Sequence, residues 1–568
     1  MAVVLALAIP RATALDRFVT IDEPGWLAVS GNFLRALAHG DLAGTIQVEH
    51  PGVTTMWAGA LGLLWVDPAY AREAPTTFWR LGELETFLRG RGREPLPMLA
   101  AGRRIAVVAT IAVLAAAFLV AGHLVGTPVA LVGFLLVAFD PFHLGLSRLL
   151  EPDGLASSLV LLSLLALSRS LGADGGARDL AVSGVAAGLA WLTKWPTLLL
   201  LPFVAAVLVG HRCRIWSFEA GGLRGLGRAA GALTLWTGAA GLAVLLLWPG
   251  LWVSADRIAQ VVLRMSVHAA HGHASPVFFD GRVIVGDPGL RFYPVSYLWR
   301  ATPVVLAGLG LAALALPGPA GRPAERRTAG LLIVFAGAFT LIMTLAAKKF
   351  DRYLLPVYAP LDLVAGMGWV VAGRWLVARW RHRVVGGMAA AAAALAVAGQ
   401  IGGTLATHPY YLSYYNPLLG GSARAPSVMM VGWGEGLDEA ARYLRGKAGA
   451  RDLRIMSWYS EGPFSYVFGA PVGHLDGSWS PARAREVRES DYVVLYVNQW
   501  QRGYAAGELR LLGAATAEHV VIINGLEYAR VYDVRRLRER STETPKPQSP
   551  GSGSGAGGPT GSGPRAPR

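Results

Sequence analysis

Asp22 and Glu23 stand side by side just beyond the first apolar run of the chain, and His50-Pro51-Gly52 follows in the same loop. Neighbouring residues point in different directions on a helix or strand, so one carboxylate can face a reaction while the other makes a supporting contact. An Asp at a membrane boundary could take a proton from an acceptor hydroxyl, a service worth roughly 10²–10⁴ in rate. The structural alternative is a helix start, with Asp22 capping the turn ahead of Pro24. Both readings stand at this point. Charge at bilayer depth costs roughly 2.5–3.5 kcal/mol on the insertion scale, which makes the interface the cheaper place for such a pair.

Three further groups carry reactive side chains. Ser147-Arg148-Leu149-Leu150-Glu151-Pro152-Asp153-Gly154 packs Arg148, Glu151 and Asp153 between two apolar runs. Such a cluster could bind a sugar's hydroxyls, share a divalent cation with Asp22, or form a capped turn with a local ion pair. Lys194 lies in Leu192-Thr193-Lys194-Trp195-Pro196, and Lys348, Lys349, Arg352 and Tyr353 lie in Lys348-Lys349-Phe350-Asp351-Arg352-Tyr353-Leu354. A phosphate would explain cations there, because Arg offers a planar fork and Lys a point charge; snorkelling at helix ends is the alternative. His268, His271 and His273 have a spacing that could ligate a metal. No companion cysteine supports this, and Cys213 is the only cysteine, so no metal residue is assigned and no intrachain disulfide can form.

The elements that must position these residues are apolar. The 568 residues are 53% hydrophobic and only 16% charged, with a mean hydropathy of +0.42, which defines a polytopic membrane protein. Runs of spanning or near-spanning length lie at about 2–15, 99–125, 128–146, 153–171, 180–194, 196–210, 229–252, 297–316, 328–347, 353–373 and 384–406, about eleven helices. Pro196 separates two short spans or kinks a re-entrant pair. The first run is shorter than a full span and lacks the basic region of a signal peptide; either that helix is truncated and tilted or, the preferred reading, the chain starts upstream.

The net charge of +15 falls largely in short loops, at Arg212, Arg214, Arg224 and Arg228, at Arg322, Arg326 and Arg327, and at Arg374, Arg379, Arg381 and Arg383. This is the positive-inside pattern rather than a nucleic-acid footprint, and no nucleic-acid partner is expected. With these loops inside, 16–98, 147–152, 253–296 and 348–352 fall on the outer face of a plasma membrane, together with the C-terminal part. All the reactive groups then share one side.

In the first outer loop, Trp26, Leu27, Val29, Phe33, Leu34 and Leu37 repeat at helical spacing and predict an amphipathic helix lying in the interface, with Thr54–Val66 dipping in beside it. From His408 the composition changes. Strand-like segments at Leu453–Trp458, Tyr492–Val497 and Val520–Ile523 and a helix at Gly436–Leu444 predict a small extramembrane α/β domain over 408–540. Trp433, Trp458, Tyr459, Trp479 and Trp500 would suit carbohydrate stacking there, with core packing the simpler role. Residues 541–568, rich in Gly, Ser and Pro, are expected to be a disordered tail.

The order and sidedness of these motifs are familiar. The Asp-Glu after the first span, the acidic second loop, "GLAWLTKWPTLLLLP" and "KKFDRYLLPVYAPL" resemble the GT-C glycosyltransferase superfamily over roughly residues 15–375. Within it they are most similar to the protein O-mannosyltransferase and aminoarabinose-transferase group, which uses phospholipid carriers. The resemblance implies a catalytic domain over 1–407 with Asp22 as the acceptor-activating base, Glu23 beside it, and Asp153 as the second-loop acid. Where relatives have a basic residue before Pro-Pro near the carrier phosphate, this chain has His50-Pro51-Gly52. The stretches "HPYYLSYYNPLLGG" and "GWGEGLDEAARYL" resemble a C-terminal extension of bacterial members.

The resulting expectation is an inverting transferase that moves a sugar from a polyprenyl-phosphate carrier to an acceptor hydroxyl on a protein, glycan or lipid, in contact with membrane lipids. Lys348, Lys349 and Arg352, helped by Lys194 and His50, would hold the departing phosphate. No cofactor is assigned, and a divalent cation stays open. The rivals are a transporter or flippase of lipid-linked sugars and an oligosaccharide transferase or polymerase of similar build. A transporter would spread charges through bilayer depth and show matched halves, and no such repeat is evident.

Overall fold

The computed structural model describes residues 1–47, 51–212, 222–380 and 383–536. His50, Cys213 and the tail 541–568 lie outside the described residues.

Six described helices are long and apolar enough to cross a membrane: Pro95–Val125, Pro152–Ser170, Gly225–Leu247, Pro323–Leu345, Asp351–Trp380 and Val384–Leu405. A further apolar pair, Phe292–Arg300 and Pro303–Ala315, meets at 111°, the geometry of a broken span or a re-entrant loop. The break falls where Thr302 turns its side chain to accept from Val305 N (3.2 Å) and Pro303 removes an N–H. Four shorter apolar helices, Ala2–Ala12, Val53–Val66, Thr127–Ala138 and Trp195–His211, complete the bundle. Some runs read as single spans are therefore divided. The run 128–146 stops at Ala138 and restarts at Pro141–Leu146, with the Asp140 carboxylate accepting from His143 N at 2.6 Å. At Pro196 the helix Ala177–Thr193 ends in a 3₁₀ turn over Trp195–Leu199.

Helices cross closely where side chains are absent. A Cβ on Gly366 would lie within 2.4 Å of Gly133 Cα, so the helices Thr127–Ala138 and Tyr358–Trp380 touch backbone to backbone.

The helix Glu23–Ala38 departs from expectation. Its apolar stripe does not face lipid: Leu27, Phe33 and Leu34 are buried by protein, in a cluster with Val53, Met56, Tyr70 and Phe78. Val53–Val66 packs against it and against Pro95–Val125. The first loop is thus a folded layer on the end of the bundle rather than a helix afloat in the interface.

Two sheets complete the chain. β1 (His273–Phe279) and β2 (Arg282–Gly286) form an antiparallel hairpin. The second sheet has the order β4-β3-β5-β7-β6, from β3 (Ile455–Ser457), β4 (Gly473–His474), β5 (Tyr492–Tyr496), β6 (His519–Ile523) and β7 (Leu526–Asp533). β4, β3 and β5 run parallel, whereas β7 is antiparallel to both β5 and β6. One apolar core continues from the helical bundle into this sheet.

Candidate active site

The reactive residues gather at one end of the bundle. Glu151 and Asp153 stand at the start of Pro152–Ser170, Lys194 follows the end of Ala177–Thr193, and Arg352 opens the turn leading into Tyr358–Trp380. Together with Asp22, Trp26, Lys348, Tyr353 and the hairpin residues Gly272–Ser275, they line a cavity of about 730 Å³.

Asp22 occupies the cap position of the helix Glu23–Ala38 but makes no side-chain cap hydrogen bond. Its carboxylate instead accepts from Arg352 Nη2 at 3.0 Å. The Arg352 guanidinium lies against three rings, 4.4 Å from Trp433, 4.5 Å from Phe350 and 5.6 Å from Tyr353. Asp153 is ion-paired with Lys194, whose ammonium stands 4.7 Å above the Tyr353 ring. Two acid–base pairs therefore face one space.

Glu151 sits between them. It is buried and lines the cavity, and its Oε1 has no hydrogen-bond partner. Burial first, then the neighbouring Asp22 and Asp153 carboxylates, hold its carboxyl well above the usual range, and Arg352 offsets only part of this.

Several expected site residues turn elsewhere. Glu23 is fully buried and does not reach the cavity. It accepts from Arg103 Nε (2.6 Å), Leu150 N (2.9 Å) and Thr20 N (2.9 Å), while Arg103 also donates to Leu15 O and Phe18 O. This pair ties the segment before Asp22 to a spanning helix and to the second loop, so Glu23 supports rather than faces the site. Arg148 donates to Thr13 O and to Ala14 O (2.9 Å) and lies over the Tyr411 ring. It braces the chain behind the site. Lys349 points away from its neighbour Lys348 and pairs with Asp287.

His273 packs its Nε2 2.7 Å from Lys349 O and its ring on Phe350. Burial, with Lys348, Arg502 and Lys349 nearby, lowers its basicity, although its hydrogen bond to the Lys349 backbone opposes this. Among the described residues no group of three or more His, Cys, Asp or Glu is arranged to hold a metal.

Arg103 lies outside the reactive groups that the sequence marks, although a charge inside an apolar run is its signal. Phe350, Trp26 and the hairpin edge carry no sequence signal of comparable strength.

The helical bundle, the bent helix pair and the sheet define a multi-pass membrane protein with its cavity at one end of the helices. The family model described as dolichyl-phosphate-mannose-protein mannosyltransferase matches residues 98–221. Among solved structures, apo ArnT from Cupriavidus metallidurans aligns with a TM-score of 0.51 and 12% identity, over 93% of this chain and 97% of that one. The same protein bound to undecaprenyl phosphate gives 0.48 and 13%, over 93% and 96%. The apo oligosaccharyltransferase of Archaeoglobus fulgidus gives 0.47 and 12%, over 93% and 73%. No curated protein matches significantly in sequence. Residues 98–221 thus match that family model, and the chain as a whole shares the fold of apo ArnT, with several helices able to cross a membrane.

Proposed function

We propose that the chain moves one sugar from a polyprenyl-phosphate carrier to an acceptor hydroxyl at the extracytoplasmic face of the membrane, with inversion. The observation that carries this reading is the meeting of Asp22 and Arg352 in a cavity that Lys194 and Lys348 also line. A proton acceptor and a set of phosphate-binding cations thereby share one space.

In this reading Asp22 takes the proton of the acceptor hydroxyl as its oxygen attacks the anomeric carbon. The bond from that carbon to the phosphate oxygen breaks on the opposite face, and its electron pair leaves with the phosphate. Arg352, Lys348 and Lys194 neutralise the charge that grows there. The donor phosphate competes with Asp22 for the guanidinium, which frees the carboxylate when donor is in place. Glu151 and Asp153 contact sugar hydroxyls. The phosphate-linked sugar in the matched family's description supports this donor class. The basic loops at the opposite ends of the same helices support the orientation, with residues 408–540 as a small domain on the site's side.

The test is transfer from a radiolabelled polyprenyl-phosphate sugar in membranes carrying wild type or Asp22→Asn. The variant is expected to lose about 10²–10⁴ in rate; undiminished transfer would remove Asp22 from the role. Mass analysis of the lipid-linked sugar that accumulates without the protein identifies the donor.

A further inference from the structure

One of the rings against Arg352 comes from a part of the chain with no role in the reading above. Phe350 and Tyr353 belong to its own segment, but the third ring against its guanidinium, Trp433, comes from beyond the last spanning helix. Trp433 lies in the loop Gly432-Trp433-Gly434-Glu435-Gly436, and that loop is held from both sides.

On the sheet side, Gly434 N donates to Tyr496 Oη (2.9 Å), which donates to Glu435 O (2.9 Å), and Asn498 Nδ2 donates to Gly432 O (2.9 Å). The Trp433 N–H donates to the buried Glu435 carboxylate at 2.6 Å. On the membrane side, Trp433 O accepts from Ile21 N at 3.1 Å, one residue before Asp22. Gly434 has φ +133, and a Cβ there would meet Val19 O at 2.1 Å. Only glycine allows the loop this close to the strand leading to Asp22. One rigid loop thus grips the backbone beside Asp22 and the guanidinium of Arg352.

We infer that Trp433 is a positioning residue that holds Arg352 for the donor phosphate, so that the chain beyond the spanning helices completes the active site. This rests on the reading of Arg352 as a phosphate ligand. The ring's negative face attracts the cation, and its plane restricts a long side chain that would otherwise have to be ordered by the ligand.

The test is binding of a polyprenyl monophosphate to the purified full chain in nanodiscs. Trp433→Leu is expected to raise Kd about 3- to 30-fold, Trp433→Phe to restore most of the loss, and Trp500→Leu, in the same sheet region but over Arg530, to change nothing. In an Arg352→Gln background, Trp433→Leu is expected to add no further loss, because the ring acts through the guanidinium. Should the leucine variant misfold, fluorinated tryptophans placed at 433 keep the shape while draining the ring face, and Kd is expected to climb with each fluorine. Wild-type affinity in Trp433→Leu alongside weakened Arg352→Gln would overturn the inference, as would additive losses or indifference to fluorination. Absence of binding by the wild type would instead strike the phosphate reading itself.

Discussion

Asp22 and Arg352 are 330 positions apart in the chain and meet at 3.0 Å, in the lining of a cavity formed by helix ends and the 272–275 hairpin segment. Asp22 leaves its helix cap unused, and Arg352 projects from a 3₁₀ turn onto aromatic rings. Because that site uses a guanidinium N–H and the flat face of the group together, Lys is a poor replacement. Arg352→Lys is expected to weaken donor affinity roughly tenfold with a smaller effect on kcat, measured as separate kcat and KM for the lipid-linked donor.

Glu151 makes the activity and stability depend on pH in a defined direction. Its folded value lies well above the ordinary 4.5, so below about 4.5 the folded and unfolded chains both hold the proton. Above that the unfolded chain loses it first. Stability is therefore whole at the acid end and is lost as pH rises through the raised folded value. Deprotonation also places a third negative charge beside Asp22 and Asp153, where the sugar is proposed to bind. Transfer by the wild type is expected to fall on an alkaline limb that Glu151→Gln removes, read from pH–rate profiles of the two proteins.

The buried Glu23–Arg103 pair is expected to govern folding rather than chemistry. Removing one partner leaves a charge without water or counter-ion, at a cost of about 3–5 kcal/mol. Glu23→Ala should lower the thermal midpoint in detergent sharply. Glu23→Gln, which keeps acceptor and shape, should lose less and retain donor KM in whatever fraction folds.

Lys194 and Asp153 form the second pair in the cavity and provide a coupling test. Lys194→Gln strands Asp153 beside Glu151 and is expected to reduce both stability and donor binding. Asp153→Asn added to it should recover stability but not donor affinity, since the carboxylate's cost disappears while the phosphate still lacks its cation. Thermal unfolding and donor titration of the single and double variants separate the two effects.

The membrane class and many helices were legible because burial of an apolar run is a local matter of composition and length. The strands β3, β5 and β6 were visible for a similar reason. β7 was passed over although Asn524-Gly525, both at positive φ, marks a hairpin turn before it. The breaks at Asp140 and Thr302 were hidden inside apolar stretches, because a single capping side chain decides them.

By itself the sequence determined that carboxylates and cations lie at the same end of a helical bundle, since apolar lengths and basic loops dictate the threading. Only the tertiary structure decided which of them face the cavity. Asp22 and Glu23, or Lys348 and Lys349, are adjacent residues of like charge whose side chains diverge, and nothing local says which direction is inward. Packing of distant segments settles it: Arg103 draws Glu23 into the core, Asp287 draws Lys349 aside, and Trp433 meets Arg352 from the far end of the chain.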